Sequence, residues 1–139
     1  MYSKLSMMHK IIETVRDEFN LGNIEIIECD MFACEPIEKV LYITDEEDEI
    51  EIEGNEFLEK YLQDKFNIKI PRDKMYVFSV LHELGHIITF PTIDREAYWE
   101  EIRKEKDMDF LAHRQVYGEY VADVWAINYI KNNGGLLIW

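Results

Sequence analysis

His82-Glu83-Leu84-Gly85-His86 is the most informative stretch of this chain. A long apolar run precedes it: Val77, Val80, Leu81 and Leu84 recur at helical spacing, and Ile88 continues the stripe. On a helix, His82 and His86 lie one turn apart on one face, so two imidazole nitrogens reach a common point. Glu83 projects from the same turn, rotated to the side. The alternative is a surface helix that carries two histidines without consequence. At average amino-acid usage the pattern arises by accident in roughly one chain of this size in a few hundred. The helical context it requires is also present.

Two imidazoles and a neighbouring carboxylate suit a zinc ion and the water bound to it. His82 and His86 are therefore candidate metal ligands, and Glu83 is the candidate general base. A catalytic zinc takes three protein ligands and keeps one position open. The extension H-E-x-x-H-x-x-G-x-x-H fails, because Ile87-Ile88-Thr89-Phe90-Pro91-Thr92 follows. Glu119, 33 positions after His86, is the preferred third ligand. Asp123 follows one turn later on the same face, where it could accept the free N–H of a ligand histidine and fix its tautomer. Ala122 and Ala126 keep that helix slim. His113 is the rival ligand, but it lies on a different helical face from Glu119. His113 and Tyr117 are also candidate donors to a reaction oxyanion, and His9 reads as a surface histidine.

The chain has 139 residues, the size of one domain spanning 1–139, and 47% of them are hydrophobic. No apolar run is long enough for a bilayer. Met1 to Lys10 lacks the apolar core and cleavage site of a signal peptide, so a cytoplasmic location is expected. The net charge of −14 argues against direct nucleic-acid binding and against anionic membrane surfaces. It permits a basic protein partner. Cys29 and Cys34 form one C-x4-C pair without a second half, which reads as two small buried side chains.

Leu5, Met8, Ile12, Val15 and Phe19 mark an amphipathic first helix ending near Asn20-Leu21-Gly22. Ile24, Ile26 and Ile27 mark a first strand. Val40-Leu41-Tyr42-Ile43 and Ile50-Glu51-Ile52-Glu53 read as two strands of a hairpin around Thr44 to Glu49. Gly54-Asn55 closes that hairpin, and a short helix follows over Glu56 to Phe66. The acidic run from Asp45 to Glu53 is read as a solvated turn; it lacks a calcium-loop pattern. Asp73 is the expected N-cap of the motif helix, and Pro91 its stop. Asp94 to Asp109 reads as charged helix with a loop near its end. A last helix is expected from Phe110 to Asn132, ending at Asn133-Gly134-Gly135. The fold class is α+β: an N-terminal helix, a small, mostly antiparallel twisted sheet, the motif helix and a C-terminal glutamate helix.

With those residues in place, the chain resembles a zincin of the gluzincin type, and more narrowly the ImmA/IrrE-like metallopeptidases. The resemblance rests on His82-Glu83-Leu84-Gly85-His86 and on Glu119-Tyr120-Val121-Ala122-Asp123-Val124-Trp125-Ala126. The order of elements extends it over most of the chain. It departs from the family after the glutamate helix, where Ile127-Asn128-Tyr129-Ile130-Lys131 stands in place of Leu-Leu-Met-Pro. The resemblance implies a minimal zincin-like domain and a zinc-dependent intracellular endopeptidase. It also implies a protein substrate, with a helix-turn-helix repressor of a mobile element or stress regulon as the family's association. The chain ends at Trp139, which leaves little room for a separate substrate-binding domain.

Two other readings compete. The scaffold could be a non-catalytic regulatory binding module with a structural or vestigial zinc. A structural site closes with four protein ligands, and no fourth is evident. A cysteine/histidine redox or nucleophile site has only the two unplaced cysteines behind it.

Overall fold

The computed structural model describes residues 3–92, Glu96, Glu100 and 117–137; for Ile50, Thr92, Tyr117 and 134–137 it describes the backbone alone. Among these residues the chain forms four α-helices and one three-stranded sheet, an α+β arrangement.

Helix α1, Lys4–Glu18, starts where the Ser3 hydroxyl accepts the Ser6 N–H at 3.1 Å. Met8, Ile11, Ile12 and Val15 form its buried stripe. The chain leaves the helix through Asn20, at φ 54°, and Gly22, at φ 75°, where the sequence places its end.

The strands are β1 (Glu25–Glu28), β2 (Ala33–Glu35) and β3 (Val40–Ile43). β3 lies in the middle. β1 runs parallel to it, with Glu25 opposite Val40, and β2 runs antiparallel, with Cys34 opposite Leu41. The sheet is thus mixed, not mostly antiparallel. The hairpin is also not where the sequence puts it. It joins β2 to β3 through residues 36–39, with Lys39 left-handed at φ 59° and its ammonium on the Leu21 carbonyl at 2.6 Å.

The expected strand Ile50–Glu53 is the start of a helix, α2 (Glu49–Phe66). Its N-terminus explains the difference. The Asp48 carboxylate caps the Glu51 N–H at 2.9 Å, and Glu49 and Glu51 sit in the first turn, where the helix dipole favours acids. Gly54-Asn55 consequently lies inside α2 and closes nothing. The sequence pattern predicts helix only over Glu56 to Phe66.

Helix α3, Met75–Thr89, carries the motif through the core, with Val80 to Ile87 all buried. Asp73 does not cap it. It belongs to a 3-10 turn, Arg72–Lys74, and Lys74 at the helix start offers no side-chain bond. A second 3-10 turn, Phe90–Thr92, ends the helix at Pro91. Helix α4, Tyr117–Leu137, packs along α3. It runs on through Gly134-Gly135 rather than ending there, and the Asn133 side chain bonds back to the Tyr129 carbonyl at 3.0 Å. Of the expected helix over 94–109 the described residues include only Glu96 and Glu100, both helical; the expected first turns of the last helix, 110–116, and the end at Trp139 lie outside them.

One apolar core joins α1, the sheet, α2, α3 and α4. Leu41, Leu62, Leu81 and Leu84 are fully buried in it. No helix among the described residues is long and apolar enough to cross a membrane.

Candidate metal centre

α3 is apolar around most of its circumference, so its polar side chains emerge into protein rather than water. His82 is 4% exposed, Glu83 8% and His86 6%. Burial of three such groups costs free energy unless each is paired. For the two histidines the partners come from α4. Gly85 allows the approach, for a Cβ there would sit 3.0 Å from the Ala122 carbonyl oxygen and 3.3 Å from Ala122 Cα. The ring of Trp125 closes the same spot, also at 3.3 Å. The contact falls between Glu119 and Asp123, so it sets both carboxylates against the histidines.

Glu119 Oε2 lies 2.7 Å from His82 Nε2 and 3.2 Å from His86 Nε2. The two imidazole nitrogens are 3.2 Å apart. Three donor atoms from two helices thus form a small buried triangle. A tetrahedral zinc, with bonds of about 2.0–2.2 Å, would hold its ligand atoms about 3.3 Å apart. Two edges of the triangle already have that length, and the His82–Glu119 edge needs to open by about half an ångström. The buried group of His82, His86 and Glu119 could therefore hold a metal ion. Imidazole and carboxylate donors suit several divalent metals, and the geometry does not single out zinc.

Asp123 is fully buried, and its Oδ1 stands 2.8 Å from His82 Nδ1. That contact directs the Nδ1 proton to the carboxylate and leaves the Nε2 lone pair facing the triangle. Glu83 Oε1 lies 3.8 Å from His82 Nε2, beside the triangle but outside it. A divalent cation at the centre would offset the negative charge of these buried carboxylates.

The structure thus brings together His82, Glu83, His86, Glu119 and Asp123. His113 lies outside the described residues, and so does the side chain of Tyr117, two positions before Glu119. His9 is at the surface, 3.3 Å from Glu28 on the sheet. Cys29 and Cys34 are free thiols on either side of a turn. Cys34 sits on β2 near the centre, where burial pushes its thiol up and the charges of Glu83, Glu35 and Glu119 push it further. The thiol stays protonated and is a poor nucleophile. Sequence reasoning missed two contributors, Gly85 as the contact with α4 and β2 as the strand beside α3. No protein-family model, curated protein or solved structure matches this chain.

Proposed function

We propose that the protein is a zinc-dependent endopeptidase of the cytoplasm, built as a minimal zincin-like domain. One observation carries the reading: the donor atoms of His82, His86 and Glu119 converge with Glu83 on the adjacent helical position. A purely structural metal site has no use for that carboxylate. Zinc, when bound, supplies Lewis acidity and lowers the pKa of water toward about 7.

The chain's own residues do the rest. His82, oriented by Asp123, and His86 present neutral imidazoles, and Glu119 closes the triangle from the second helix. Glu83 takes the proton of the attacking water and hands it to the leaving amine nitrogen. Tyr117 and His113 remain the candidates for a further oxyanion donor.

The substrate strand needs an open sheet edge beside α3. Ile50–Glu53, a strand by its alternation, is helical and offers no such edge. β2 replaces it: among the described residues it pairs only with β3, and it packs on α3. An extended substrate would add to β2 by backbone hydrogen bonds. The resemblance to ImmA/IrrE-like metallopeptidases suggests a helix-turn-helix repressor as that substrate.

Elemental analysis of untagged protein tests the centre first. The expectation is about one zinc per chain, sharply reduced in Glu119→Ala. Glu83→Gln should keep the metal and lose cleavage of a protein substrate. Undiminished cleavage by Glu83→Gln would end the mechanism. Failure to take up zinc on reconstitution would favour a binding module on the same scaffold.

A further inference from the structure

The chain's negative charge is concentrated in one region. Residues 25–53 hold twelve of its 29 acidic side chains and one of its 15 basic ones, Lys39. This region comprises the sheet, the loop after β3 and the first turns of α2. Lys39 is itself turned back onto the Leu21 carbonyl.

These acids flank β2 at both ends. Before the strand, Phe32 shares a shallow cavity with Asp45, Glu46, Glu47 and Glu51. Lys4 and Arg72 also reach that cavity, but both are paired, Lys4 with Glu47 and Arg72 with Glu56 and Glu59. After the strand, Glu35 accepts the Glu38 N–H, and the Glu38 side chain is exposed. Between the two ends, Cys34 lies in the field of Glu83 and Glu119. Edge strands are commonly guarded by lysine. Here the guards are acidic, and a chain that pairs along β2 meets acids at both ends of the strand.

We infer that the β2 edge selects an extended polypeptide segment rich in Lys and Arg. Opposite charge at the two ends of a short strand favours such a segment, speeds its encounter and penalises an acidic one. The inference rests on the peptidase reading for the fate of the segment, though not for its capture.

The test uses zinc-loaded Glu83→Gln protein and two short fluorescent peptides with the same apolar centre, one flanked by lysines and the other by glutamates. The lysine-flanked peptide should bind at least about tenfold tighter. Raising ionic strength from about 10 mM to about 150 mM shortens the screening length from about 30 Å to about 8 Å and should remove most of the difference. The added pair Glu38→Lys with Asp45→Lys should abolish the preference. Glu13→Lys with Asp64→Lys, the same change in net charge at exposed sites on α1 and late in α2, should keep it. Equal affinity for the two peptides would overturn the inference, and so would equal loss in the two charge-reversed proteins. The wild type separates the two readings. If the lysine-flanked peptide binds and is never cut, the peptidase reading falls and the docking edge stands. If both peptides are cut equally well, the reverse holds.

Discussion

Asp123 shows how much one buried side chain can determine. It is 0% exposed and reaches His82 Nδ1 at 2.8 Å. Its carboxylate selects the tautomer that leaves Nε2 free to bind a cation. Asp123→Asn keeps the shape but can turn an N–H toward the ring, so the tautomer is no longer fixed. Metal affinity should fall by about 10- to 100-fold, measured by competition with a chromophoric chelator. An affinity equal to the wild type would show that the contact positions nothing. At this scale the sequence was informative. The spacing of His82 and His86, and of Glu119 and Asp123, each marks one face of a helix. Gly85 was not legible, because the motif leaves its position open and only the approach of a second helix gives it a role. Cys34 was not legible either, since its setting depends on which strand passes the centre.

At the scale of elements, the helix pair α3 and α4 decides whether the site exists. A methyl group at Gly85 meets backbone atoms of Ala122, which cannot rotate away. Gly85→Ala gains up to about 1 kcal/mol of helix propensity. It loses about 1–3 kcal/mol by overpacking. The larger effect should be on the metal, because relief of the clash moves α4 and takes Glu119 and Asp123 with it. We expect weakened metal binding in Gly85→Ala while far-ultraviolet circular dichroism still reports a folded chain. Adding Ala122→Gly should not restore it, since the atoms in conflict belong to the backbone; rescue by that change would refute the account. α1, β1, β3 and α3 were legible from periodicity and apolar content. The first turns of α2 resemble a strand in sequence because Ile50 and Ile52 alternate with glutamates, and period two over four residues does not exclude a helix start. The Asp48 cap and the acidic first turn favour the helix. β2 is three residues long, too short to show any period.

For the whole molecule, the α+β class followed from the mixture of periods, whereas the sheet topology did not. β1 and β3 are parallel, and a parallel pair needs a crossover, commonly a helix. Here residues 29–39 make the crossover and contribute β2 on the way, so local pattern carries no trace of the strand order. The closure of the molecule is equally non-local. Tyr129 on α4 donates to Glu18 Oε2 at the end of α1, at 2.7 Å across 111 positions of sequence. Phe19, Trp125 and Tyr129 pack their rings around that contact. Burial of the phenol raises the Tyr129 pKa above its ordinary value, and the hydrogen bond to Glu18 and that group's charge add to the effect. The native state therefore holds the proton more tightly than the unfolded chain, whose tyrosines titrate near pH 10. The stabilisation is fully present below about pH 10 and is lost as pH rises through the folded value. Tyr129→Phe should cost about 1 kcal/mol at neutral pH. It should also flatten the decline in stability above about pH 10, read from urea midpoints across an alkaline series. Since Glu18 is exposed and rehydrates once the phenol is gone, the neutral-pH cost stays modest. The change in alkaline slope is the sharper measure. Parallel wild-type and Tyr129→Phe profiles would show that the contact is open in solution and that α1 and α4 are held by the apolar core alone.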